Sequence, residues 1–65
     1  MEILWNGVPR EISGGITVAE FLAACGMKPE AVVVELNDEI TGAEELCRRL
    51  NAGDRLNAFR IVAGG

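Results

Sequence analysis

Histidine is absent from the 65-residue chain. With no imidazole, neither a Ser–His nor a Cys–His nucleophile pair can form, and no His-containing metal site. There are two cysteines, Cys25 and Cys47, far apart and with unlike neighbours. They do not read as zinc ligands, and a secreted domain this small would carry a denser disulfide framework. Basic residues are few, six against ten acids, and Arg48-Arg49 is the only adjacent basic pair. Without a basic cluster, phosphate backbones have nothing to bind, which argues against nucleic acid as a partner. No stretch approaches the ~20 apolar residues of a membrane span. The start, Met1-Glu2-Ile3-Leu4-Trp5, lacks the basic region and long apolar run of a secretory leader, so the cytoplasm is the expected compartment. Gly14-Gly15 is too short to be a phosphate cradle. A stand-alone enzyme therefore ranks last among the functions this sequence admits.

What is present is a globular composition: 49% hydrophobic and 25% charged residues, with a net charge of −4. A chain of this length makes one domain, and burying only ~60% of its unfolded surface leaves little room for a deep catalytic cleft. The acidic balance suits a partner with a basic docking face.

Local signals order the chain. Glu2–Asn6 is a short apolar strand ending at Asn6-Gly7, a hairpin turn pair in which both residues tolerate positive φ. Val8–Ile12 returns, and Pro9, which cannot donate a ladder hydrogen bond, assigns that strand to a sheet edge. Thr17-Val18-Ala19-Glu20 is a capping box. Apolar residues follow at Val18, Phe21, Leu22 and Cys25, one face of a helix over Val18–Cys25 that Gly26 and Pro29 terminate. Ala31–Asn37 is β-rich, Asn37-Asp38-Glu39 turns, and Ile40-Thr41 is a brief strand. Leu46, Cys47 and Leu50 have helical spacing within Ala43–Leu50. After the turn at 51–54, Arg55–Val62 is the last strand, followed by Ala63-Gly64-Gly65. The order predicts an α+β fold: a mixed sheet of four to five strands, one main helix across one face, and a short second helix.

Strand alternation then assigns faces. Ile3, Trp5, Val32, Val34, Leu36, Leu56 and Ala58 point toward the helix. Leu4, Val33, Asn57, Phe59 and Ile61 point away. An apolar patch of Leu4, Val33, Phe59 and Ile61 on the open face is a candidate partner-docking surface, continued by Val62 and Ala63 into the tail. A register slip of one residue would instead bury Phe59 and Ile61. Cys25 reads as a buried small hydrophobe and Cys47 as structural, a relay thiol being the alternative. The acids Asp38, Glu39, Glu44 and Glu45 read as a solvated face.

The hairpin Asn6-Gly7, the helix start Thr17–Glu20, Gly53-Asp54 before the last strand, and the end Ala63-Gly64-Gly65 recur together in one family. In their joint order and spacing the whole chain resembles the ThiS sulfur carriers. The resemblance implies the β-grasp, ubiquitin-like fold, and a single domain over 1–65 with a flexible tail at 63–65. It also implies a protein co-substrate rather than an enzyme. Gly65, with Gly64, would be the reacting end. An E1-like adenylyltransferase of the ThiF type would activate the Gly65 carboxylate using ATP and Mg²⁺, which the chain itself does not bind. Sulfur from a donor such as cysteine desulfurase would give a thiocarboxylate, and a thiazole synthase of the ThiG type would take the sulfur for thiamine. Related carriers serve molybdopterin, tungsten-cofactor or cysteine synthesis, and a ubiquitin-like modifier joined to lysines through Gly65 is the other alternative. Thr41-Gly42-Ala43-Glu44 departs from the Pro or basic residue that many members carry there, so partner contacts do not transfer to that loop. Nothing demands more than a monomer when free, and no membrane contact is implied.

The tail suits such chemistry. An α-carboxyl group is ionised at neutral pH and is a poor electrophile until activated. Glycines enter a narrow channel in conformations closed to other residues. Four extended residues, Val62 to Gly65, reach ~13–14 Å.

Overall fold

The computed structural model describes residues 1–61. The sequence calls at Val62, Ala63, Gly64 and Gly65 lie outside the described residues. Five strands form one mixed sheet: β1 (Glu2–Trp5), β2 (Val8–Glu11), β3 (Val32–Leu36), β4 (Glu39–Thr41) and β5 (Arg55–Arg60). Their order across the sheet is β2-β1-β5-β3-β4. β1 and β5 run parallel at the centre, and the β1–β2, β3–β5 and β3–β4 pairs are antiparallel. With the helix α1 (Val18–Ala24) packed across one face, this is the β-grasp arrangement.

Both tight hairpins use backbone that only certain residues hold easily. Asn6 and Gly7 have φ of 49° and 83°, and Asn37 and Asp38 have 53° and 71°. Positive φ at both central residues gives the turn twist that joins neighbouring strands without splaying them. β2 is an edge strand, so Pro9 interrupts no ladder on its outer side. The parallel β1–β5 pairing is short, Leu4 with Arg55 and Trp5 with Leu56. The Asn6 side chain prolongs it, its Oδ1 accepting from the Ala58 amide at 2.9 Å.

Helix α1 starts on a complete capping box. The Thr17 hydroxyl accepts from the Glu20 amide at 3.1 Å, and a Glu20 carboxylate oxygen accepts from the Thr17 amide at 2.9 Å. These bonds hold the Glu20 carboxyl below its ordinary pKa, the Thr17 backbone bond contributing most. The next orphan donors reach a distant segment: the Val18 amide donates to the Arg48 carbonyl and the Ala19 amide to the Leu46 carbonyl. The helix ends in a Schellman motif. Gly26 (φ 77°) donates to Ala23 and Met27 donates to Leu22.

The 43–50 segment corrects the sequence reading. Instead of a helix through Leu50 it makes a single 3₁₀ turn, Ala43–Glu45. Its carbonyls at Leu46 and Arg48 cap α1, and its Leu50 amide donates to Ile16. A continuous α-helix through Leu50 would have joined the Leu50 amide to the Leu46 carbonyl, and here both are given to partners outside the segment. Leu50 nonetheless reaches the core, which also holds Ile3, Val18, Phe21, Leu22, Val34, Leu36 and Leu56. Trp5 is half-buried and meets Phe21 edge-on, with ring centroids 4.9 Å apart. Cys25 caps α1 and is half-buried rather than buried, while Cys47 is exposed.

Candidate functional site

Alternation along β3 and β5 divides their side chains between two faces, and the antiparallel register decides which outward residues meet. Val34 and Leu36 stand opposite Ala58 and Leu56 on the helix side. Between them, Val33 stands opposite Phe59 on the open face, and Glu35 opposite Asn57. Phe59 is 52% exposed and Val33 38%, so this aromatic–aliphatic pair presents carbon to solvent. Ile61 follows Phe59 by two residues and is 58% exposed. Its amide donates to the Ala31 carbonyl at 3.1 Å, which prolongs the β5 ladder to the last described residue.

The structure therefore brings together Val33, Phe59 and Ile61. It does not bring Leu4 to them. Leu4 is half-buried and in register with Arg55, four residues back along β5 from Phe59. Arg55 and Asn57 lie between the two, so Leu4 sits at the polar end of the same face. Sequence reading missed Ile40, which is 73% exposed and opposite Glu35, hence on the open face beside β3. The sequence held no signal for it: of the pair, apolar Ile40 would be expected inside, but in the structure Thr41 is the buried one and alternation turns Ile40 outward.

The polar end is tied down. Arg55 pairs with Asp38 at 2.7 Å. Asn37 accepts from the Arg55 amide at 2.9 Å and donates to Asp54 at 3.2 Å. Asp54 in turn accepts from the Asn51 amide at 2.8 Å. These bonds fasten the β3–β4 turn to the start of β5. With the ladder at Ile61, they hold β5 at both ends.

Chemically, this surface is exposed carbon beside a pinned polar end. Among the described residues, no group of three or more Cys, Asp or Glu side chains converges to hold a metal ion. No described helix is long and apolar enough to cross a membrane. The grooves on the helix side are shallow; one is lined by Pro29, Glu30, Val32, Val34, Thr41, Ala43 and Leu46.

Comparison with known proteins agrees with this architecture. The family model described as the ThiS family matches residues 3–65. The chain is 27% identical over 66 residues to the sulfur carrier protein ThiS of Escherichia coli (strain K12), with both chains covered in full. It superposes on the crystal structure of the thiamine biosynthesis protein ThiS from Geobacter metallireducens with a TM-score of 0.85, at 29% identity and full coverage of both chains. SAMP1 from Haloferax volcanii, 23% identical and likewise fully covered, shares the fold with a TM-score of 0.70.

Proposed function

The chain belongs to the ThiS family, and from that membership we propose that it carries sulfur on the C-terminal carboxylate of Gly65 for synthesis of the thiamine thiazole. The observation that carries this reading is the family match over residues 3–65, which takes in Gly64 and Gly65 as well as the folded body. An E1-like partner attacks the α-phosphorus of ATP with the Gly65 carboxylate, releasing pyrophosphate and leaving an acyl adenylate. AMP is then a good leaving group: the terminal sulfur of a cysteine-derived persulfide displaces it at the acyl carbon, and a second thiol reduces the resulting acyl disulfide, becoming oxidised to a disulfide itself. The product is a thiocarboxylate, whose sulfur a thiazole synthase consumes. ATP and Mg²⁺ belong to the adenylating partner, and the chain is its substrate.

The folded body supports the reading by offering a docking surface that reaches Ile61, the last described residue. Val33, Phe59, Ile61 and Ile40 are exposed carbon on a sheet face that no described element covers. Burying them against a partner offsets the entropy of ordering the tail, about 1–2 kcal/mol for each residue fixed.

The test is intact mass after incubation with ATP, the cognate adenylating enzyme and a cysteine-desulfurase sulfur source. The expected product has one oxygen replaced by sulfur, and deletion of Gly65 abolishes it. No mass gain with an enzyme shown to be competent overturns the carrier reading. Higher-mass conjugates to cell proteins through Gly65 would redirect it to a protein modifier.

A further inference from the structure

The chain is acidic overall, with ten acids and six bases, yet its bases are not evenly engaged. Arg55 pairs with Asp38 at 2.7 Å and Arg48 with Glu45 at 3.6 Å. Arg10 lies over the Phe21 ring at 5.6 Å. Arg49 is close enough to Glu20 for its charge to favour the ionised carboxylate. Two cations are left, Lys28 and Arg60. Both are exposed, and among the described residues neither makes an ion pair.

These two come from different elements and border the same groove. Gly26, in its left-handed conformation, turns the chain out of α1 so that Met27 and Lys28 run beside the end of β5. Arg60 is the last residue of β5, in register with Val32. Between the cations the groove is lined by Met27, Ala31, Val32 and Ile61. Glu30, the nearest acid in sequence to Lys28, lines the neighbouring groove instead. The root of the tail is thus a cationic, apolar-floored recess on an otherwise acidic molecule.

We propose that this recess docks an acidic segment of the adenylating partner, with Lys28 and Arg60 receiving its carboxylates and Met27 and Ile61 its apolar flank. The proposal rests on the carrier reading above and adds a second contact at the end of β5, which meets the open-face strip at Ile61. Its physical sense is orientation. An acidic partner surface repels the body of the chain and attracts only the tail root, so the molecule approaches tail first. Charge of this kind governs encounter and specificity more than final affinity, and it weakens with salt.

The experiment measures ATP–pyrophosphate exchange by the cognate adenylating enzyme as the concentration of the carrier is varied. It compares wild type, the Lys28→Glu/Arg60→Glu double variant, the milder Lys28→Gln/Arg60→Gln variant and an Arg48→Glu control. The double charge reversal should raise KM for the carrier about tenfold or more while kcat at saturation is kept. The glutamine variant should fall between, and the control should behave as wild type. Wild-type KM should rise from about 0.05 to about 0.5 M salt, and the difference between wild type and double variant should shrink. Equal KM values for wild type and double variant overturn the docking recess and leave the carrier reading intact. A fall in kcat with unchanged KM also overturns it, because the cations would then act on the reacting end and not in docking. Absence of exchange with wild type overturns the carrier reading and the recess with it.

Discussion

Thr17 shows how much a single side chain settles in a domain of this size. Its hydroxyl accepts from the Glu20 amide while its own amide donates to the Glu20 carboxylate, so two donors at the start of α1 are satisfied within four residues. Thr17→Ala removes one of these bonds. It should cost about 1 kcal/mol, lowering Tm by about 4–8 °C in a domain of this length; thermal melting followed by circular dichroism reads it. An unchanged Tm would mean that the carbonyls of Leu46 and Arg48 hold the helix start unaided. Glu20 adds a pH dependence of known sign. Its folded-state pKa is lowered, so its contribution is present above the ordinary Glu value, about 4.3, and is lost as pH falls through the lower folded value. Glu20→Gln keeps an acceptor at the same place without the charge. Urea midpoints from neutral pH to about pH 3 should therefore fall more steeply for wild type than for this variant. Parallel curves would refute the assignment.

Within elements, β5 carries two jobs on alternate residues. Leu56 is fully buried in the core, whereas Phe59 is half-exposed on the other face. Leu56→Ala should destabilise by about 2–5 kcal/mol. Phe59→Ala loses only a cross-strand contact with Val33, less than about 1 kcal/mol, and should instead raise KM for activation by the partner. Urea unfolding and pyrophosphate exchange on the same two variants separate the roles. Equal destabilisation would make Phe59 a core residue, and unchanged KM would remove it from docking. Helix α1 was legible to within one residue because its signals are local: a capping box at one end and Gly26 at the other. The 43–50 segment was not. Its apolar spacing is helical, but its backbone groups are taken by α1 and Ile16, partners that lie far away in sequence.

At the scale of the whole molecule, the parallel β1–β5 pair determines which outward residues become neighbours. Alternation told correctly that Leu4, Val33, Phe59 and Ile61 do not point toward α1. It could not tell that β1 meets only the first part of β5, which leaves Leu4 beside Arg55 and away from Phe59. Nor could it show that β4 lies next to β3 and adds Ile40 to the open face. Net charge is an average of the same kind. A value of −4 suits a basic partner, but charge acts locally, and the fold brings Lys28 and Arg60, which make no ion pair among the described residues, to one groove at the end of β5.

The sequence by itself determined the turns, the caps, the helix, the inward and outward faces of β1, β3 and β5, and the family likeness of its glycine end. Each is decided over a few adjacent residues, where steric preference and hydrogen-bond reach are short-ranged. The tertiary structure alone decided the strand order, the register that sets Val33 against Phe59, the use of 43–50 as a cap, and the meeting of Lys28 with Arg60. Those depend on backbone pairings between distant segments, and a pattern read along one strand contains no measure of where its neighbour begins.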